Sequence, residues 1–199
     1  MPCRPGAAHI ILAGHGAGPA TGMTFTETRI GGVWLVEGTR LADERGFFTV
    51  AFIRQEFADR GLETAVAQVN VASNHQRGTV RGMHYQAPPF EEVKLVRVVR
   101  GAVFDVAVDL RPGSPTFRQW VGVELAEEED RMLYVPRGCA HGYQTLTDDA
   151  EIYYFVSAPY SPPHQRGVRW NDPAFGIEWP IPTPAAINAR DAGYPDFRS

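Results

Sequence analysis

His84 and Lys94 are the two side chains in this sequence best suited to moving protons beside a carbonyl group. His84 lies in the run Arg81-Gly82-Met83-His84-Tyr85-Gln86, and Lys94 opens the apolar run Lys94-Leu95-Val96-Arg97-Val98-Val99-Arg100, so the pair falls on neighbouring strands. An imidazole titrates near neutrality and takes up a proton, while an ammonium next to the carbonyl oxygen stabilises the enolate left behind. An isolated pair of this kind also has a plainer reading. His84 would end a strand, and Lys94 would run its stem along the surface to water.

Further residues offer tools for holding a ligand. Asp43-Glu44-Arg45-Gly46-Phe47-Phe48 supplies a guanidinium and an aromatic face, and Gln68-Val69-Asn70 supplies two amides, a set suited to phosphate and a planar base. Taken singly, Arg45 also reads as a surface partner of Glu44, and Asn70 as a strand-end cap. Arg81 and His84 differ by an odd number of positions, so a regular strand would point them to opposite faces. Both line one cavity only if Gly82 marks a bulge, a common use of glycine beside functional sites.

The bulk properties bound what these residues serve. A chain of 199 residues, 44% hydrophobic, is long enough for one substantial core and short for two ordinary domains. A net charge of -4 and a pI near 5.9 argue against nucleic-acid and membrane surfaces, so any anion site must be built locally. The two cysteines, Cys3 in the N-terminal stretch and Cys139 in an expected loop, give no disulfide framework and fit a reducing cytoplasm. No apolar run reaches membrane-spanning length, and the short stretch from His9 to Ala13 lacks the flanks of a signal peptide.

Residues 1–22, rich in Gly, Ala and Pro, read as a disordered leader ahead of a single domain over 23–199. Beyond it the pattern predicts strands at 33–36, 46–52, 65–71, 79–86, 93–100, 102–110, 120–125, 132–135 and 151–156, with one short helix at 54–60. The clearest alternation is Phe104-Asp105-Val106-Ala107-Val108-Asp109-Leu110, which predicts a half-buried strand with its aspartates on the wet face. Many strands joined by turns, without alternating helices, predict an all-β antiparallel barrel or jelly roll able to enclose a small ligand. The Pro-rich stretch from Trp179 to Pro184 reads as an extended C-terminal wrap.

Pro136-Arg137-Gly138-Cys139-Ala140-His141-Gly142 has the form of a cupin barrel turn that aims a histidine inward. Metal-binding cupins add two histidines separated by one residue, where this chain has His84-Tyr85-Gln86; the missing second ligand argues against a metal. Together with Asp43 to Phe48, Val80 to Gln86, Lys94 to Arg100, Val103 to Arg111, Ser114 to Val123 and Arg169 to Pro173, this turn resembles the dTDP-4-dehydrorhamnose 3,5-epimerases, with the motifs in the same order.

That resemblance implies a cupin-type jelly roll, no metal or organic cofactor, and a homodimer that exchanges strands. It also implies an activity: inversion of C3 and C5 of a nucleoside-diphosphate 4-keto-6-deoxyhexose. The C4 ketone acidifies the hydrogens on both neighbouring carbons, so a base on one face of the ring and an acid on the other serve both centres. By the resemblance, His84 is the base, Tyr154 the acid, Lys94 the enolate-stabilising cation, and Asp191 the carboxylate that fixes the base. Arg45, Phe47, Gln68, Asn70, Arg81, His141, Gln165 and Arg190 match positions that hold nucleotide and sugar, with Phe47 stacking on the base.

The chain departs from the family at Val50, Phe155, Gln165, Pro159 and Arg190, where glutamate, lysine, glutamate, an aromatic and lysine are usual. These departures suggest a changed preference for the nucleobase or for one carbon, for example a CDP-linked sugar, while the proton chemistry is kept. The alternatives are a single-carbon epimerase or ketoisomerase, a metal cupin oxygenase and a non-catalytic sugar-binding barrel.

Overall fold

Alternating apolar residues with Gly and Pro at the joins produce the expected sheets in the computed structural model, which describes residues 22–198. The leader expected at 1–22 therefore lies almost wholly outside the described residues. The strands are β1 (Met23–Glu27), β2 (Trp34–Gly38), β3 (Arg40–Asp43), β4 (Gly46–Thr49), β5 (Gln68–Asn74), β6 (Val80–Gln86), β7 (Lys94–Arg100), β8 (Ala102–Asp109), β9 (Trp120–Ala126), β10 (Arg131–Val135), β11 (Cys139–Thr145), β12 (Ala150–Val156) and β13 (Gln165–Gly167). Two short α-helices, α1 (Arg54–Ala58) and α2 (Ala189–Ala192), and a 3-10 turn over Pro162–His164 complete the regular elements among the described residues.

A six-stranded sheet runs in the order β1-β2-β10-β7-β12-β5, facing a five-stranded sheet in the order β13-β6-β11-β8-β9; β3 and β4 form a separate ribbon. Every strand pair is antiparallel. Between the two main sheets lie Leu35, Val96, Val98, Val103, Val121, Leu133 and Ile152, all buried. The outer face of the five-stranded sheet is covered in turn by Val168, Trp170, Phe175 and Trp179, against Met83, Phe104, Val106 and Val108. Each large side chain buried in this way contributes roughly 1.5–3 kcal/mol. Behind the six-stranded sheet, Phe57 of α1 meets Phe25, Phe52 and Tyr134.

The structure corrects several expectations. β8 is not half-buried: every residue from Val103 to Asp109 is inside, because both of its faces are covered. Its aspartates survive burial by being paired, Asp105 with His141 at 2.7 Å and Asp109 with Arg111 at 2.8 Å, while Ser114 and Thr116 also donate to Asp109. Cys139 starts β11 rather than sitting in a loop, and burial pushes its thiol up to about 12. The strand expected at 46–52 stops at Thr49, and the one expected at 65–71 runs instead over Gln68–Asn74.

Candidate active site

The site begins with a glycine. Gly82 has φ +120°, and a Cβ there would lie 2.6 Å from the Cα of Gly142 on β11. No larger residue allows the two backbones to approach so closely. Opposite this point the register slips: His141 pairs with His84, whereas Tyr143 pairs with Arg81. One extra residue on β6 is a bulge, and it changes which side chains the strand turns inward.

Beyond the bulge, His84 and Gln86 join Gln68 and Asn70 of β5, Lys94 of β7 and Tyr154 of β12 around one cavity of about 230 Å³. β6 belongs to one sheet and β5, β7 and β12 to the other, so the cavity opens between the two layers. Imidazole, ammonium and phenol thus face a common space.

His84 Nε2 lies 2.8 Å from Oδ1 of the fully buried Asp191, whose Oδ2 accepts the Gly82 N–H at 3.1 Å. Asp191 is held in place because the Asn188 side chain caps α2 by accepting from its backbone N–H at 2.8 Å. Burial would raise the Asp191 carboxyl, yet the His84 hydrogen bond, the Gly82 N–H and Arg190 hold it below its usual value. Burial also lowers His84 below the ordinary histidine value, against the opposing pull of Asp191. The imidazole is therefore neutral at neutral pH, with its proton on Nε2 and a free lone pair on Nδ1.

Lys94 Nζ sits 3.2 Å from Glu92 and 3.3 Å from the His84 carbonyl oxygen. The Tyr154 phenol is raised by burial and by the charge of Glu92, with Arg81 pulling the other way. It is a protonated donor at neutral pH.

The remaining expected binding residues divide. Gln165 lines the cavity, accepting from the Tyr160 hydroxyl and from Arg190 Nη1 at 3.0 Å, so Arg190 reaches the rim through it. Gln68 donates to Asn70 within the wall. Arg81 stands beside the cavity, tied to Asn74 at 2.7 Å and to the Ser73 carbonyl at 3.0 Å. His141 is not brought to the wall, since its ring is buried against Asp105. Arg45 and Phe47 are also absent from it: the β3–β4 ribbon hydrogen-bonds to neither main sheet and carries them away. Arg45 pairs with Asp43, not Glu44, and Phe47 is 54% exposed beneath the Arg40 guanidinium.

Four contributors escaped the sequence reading. Tyr160, not its neighbour Pro159, sets an aromatic ring at the rim. Tyr194 meets His84 edge-on at 6.4 Å, its ring lying over Gly167, where a Cβ would come within 2.3 Å of it. Glu92 and Gln86 also face the cavity. Phe155, which stands where the family usually has lysine, stacks on Phe52 behind the sheet, because it alternates with Tyr154.

Comparisons with known proteins identify the family. The family profile described as dTDP-4-dehydrorhamnose 3,5-epimerase matches residues 27–199. A dTDP-4-dehydrorhamnose 3,5-epimerase of Sinorhizobium fredii is 44% identical over 88% of this chain and 90% of its own. The crystal structure of the Bacillus anthracis dTDP-4-dehydrorhamnose 3,5-epimerase with TDP and PPi bound superposes with a TM-score of 0.85 at 38% identity, covering 88% of this chain and all of that one. A 3'-monoepimerase from Streptomyces bikiniensis in complex with dTDP-quinovose gives 0.80 at 38% identity, over 85% of each chain. With the profile spanning every strand after β1, the cavity and α2, this chain belongs to the dTDP-4-dehydrorhamnose 3,5-epimerase family.

Proposed function

We propose that this chain inverts C3 and C5 of dTDP-4-keto-6-deoxy-D-glucose, giving dTDP-4-keto-L-rhamnose. The observation that carries the reading is the single cavity walled by His84, Lys94 and Tyr154. His84 Nδ1 takes the proton from the carbon next to the ketone, while Asp191 holds the other ring nitrogen and steadies the imidazolium that forms. The Lys94 ammonium donates to the enolate oxygen. Tyr154 returns a proton from the opposite face, which inverts the centre, and the ketone permits the same exchange at its other neighbour. Inversion at one carbon alone is the second reading, favoured by the likeness to the 3'-monoepimerase.

Tyr160, exposed at the rim, offers a ring face for a nucleobase, with Gln165 and Arg190 beside it. A homodimer is part of the proposal. Leu41, Phe47 and Phe48 on the ribbon and Val66, Val69, Val71 and Val99 on the main fold are large apolar side chains left exposed in the single chain, a surface that a second copy would cover. In that assembly Arg45 and Phe47 would reach the partner's cavity. We place the enzyme in the cytoplasm, in keeping with two cysteines that give no disulfide framework, and take residues 23–199 as one domain. None of the described helices is long and apolar enough to cross a membrane.

A proton NMR time course in heavy water, run with dTDP-, CDP- and GDP-linked 4-keto-6-deoxyglucose, tests the assignment. Label entering both C3 and C5 of the dTDP sugar is the expected result, and label at one carbon identifies a monoepimerase. No label in any of the three sugars would overturn the reading. Sedimentation at equilibrium tests the dimer, which a monomer mass would exclude.

A further inference from the structure

Among the described residues that line the cavity, Glu92 carries the only carboxylate. Its Oε1 lies 3.2 Å from Lys94 Nζ, and its Oε2 accepts from Gln86 Nε2 at 3.1 Å. Gln86 is itself riveted, donating to the carbonyls of Phe90 and Pro159 and accepting the Ser161 N–H. The acid is therefore fixed in place. The Glu92 and Lys94 side chains are 12% and 10% exposed, and at that depth charges interact several times more strongly than in water.

Two working groups face this carboxylate. Lys94 meets it directly and also sees His84 from β6. Tyr154 feels it through space, alongside Arg81 of β6 and Tyr143 of β11.

We propose that Glu92 is a positioning residue for the proton chemistry: its carboxylate pins the Lys94 ammonium where the ketone oxygen must sit and sets the charge that Tyr154 faces. The inference rests on the epimerase reading and adds to it. When Tyr154 gives up its proton it becomes a phenolate, and beside Glu92 that anion is disfavoured, so it recovers a proton from solvent before the second carbon is worked. The same carboxylate keeps the phenol from ionising early.

The test uses the full chain, with dTDP-4-keto-6-deoxyglucose as substrate and pH profiles of kcat for Glu92→Gln and Glu92→Asp. Glutamine keeps the shape and loses the charge; aspartate keeps the charge and loses length. For Glu92→Gln the expected result is a kcat lower by about tenfold, the rate equivalent of one charge-assisted hydrogen bond, with KM little changed. Its basic limb moves to lower pH, because removing a negative neighbour makes a phenol easier to ionise. Glu92→Asp restores the limb and part of the rate. A purely structural role predicts the reverse order, with glutamine the better replacement. Wild-type kcat and an unmoved limb in Glu92→Gln, or glutamine outperforming aspartate, would overturn the proposal. Wild-type enzyme that exchanges no deuterium would remove the epimerase reading and this inference together, whereas wild-type exchange with an indifferent glutamine variant removes this inference alone.

Discussion

Asp191 and His84 lie 107 positions apart in the chain and 2.8 Å apart in space. The two oxygens of Asp191 take two different donors, the imidazole Nε2–H and the Gly82 N–H. An asparagine presents only one acceptor there, so Asp191→Asn must turn an N–H toward one of these donors. The expected loss in kcat is about a hundredfold or more, as when a catalytic imidazole loses control of its tautomer. Asp191 pulls the His84 value upward, so its removal lowers that value further, and the acid limb of kcat/KM moves to lower pH. A limb that stays in place or rises would show that the carboxylate does not govern the base.

His84→Ala removes the proposed base and leaves the sheets intact, since the ring lies at the cavity wall and not in the apolar core. Deuterium exchange at both carbons should fall by about a hundred- to ten-thousandfold. Nucleotide binding, measured by titration with dTDP, should be nearly unchanged. Undiminished exchange would move the base elsewhere.

Tyr154→Phe separates loss of a proton from its return. With His84 and Lys94 in place the variant should still wash solvent deuterium into the substrate, while the inverted sugar accumulates far more slowly. Product formed at the wild-type rate would sink the assignment of the phenol as acid.

Gly82→Ala places a methyl group where Gly142 already stands, at a φ that L-residues rarely adopt. Destabilisation of about 1–3 kcal/mol is expected from the backbone conformation alone, read as a lower midpoint in urea. Activity should fall with it, because the bulge sets the direction of His84. A variant as stable and as active as wild type would mean that the strand crossing tolerates a side chain.

Much of this architecture is legible in the sequence because alternation writes strands directly. The pattern places Val80 to Gln86 and Lys94 to Arg100 within a residue of where they lie, and a bulge does fall at Gly82, although Arg81 stands beside the cavity and does not line it with His84. β11 reads poorly because Gly142 and His141 look like turn residues; Gly142 is explained by the close approach of Gly82 on the facing strand and His141 by its buried partner Asp105. The alternation points Asp105 to solvent because a carboxylate in such a strand normally belongs there, and its buried partner His141 comes from a distant segment. Nothing local marks Asp191; only the family resemblance points to it. Glu92, Tyr160 and Tyr194 stayed hidden, since their importance lies in what faces them across the cavity.

The capped turn of α2 has a consequence for how the enzyme is made. All the strands of the two main sheets precede Asn188 and Asp191, so a ribosome releases the whole barrel before it releases the carboxylate that anchors the His84 ring. A partly synthesised chain thus holds the imidazole and the phenol but not the carboxylate that anchors the ring, so the proposed constellation is complete only once translation has passed Asp191.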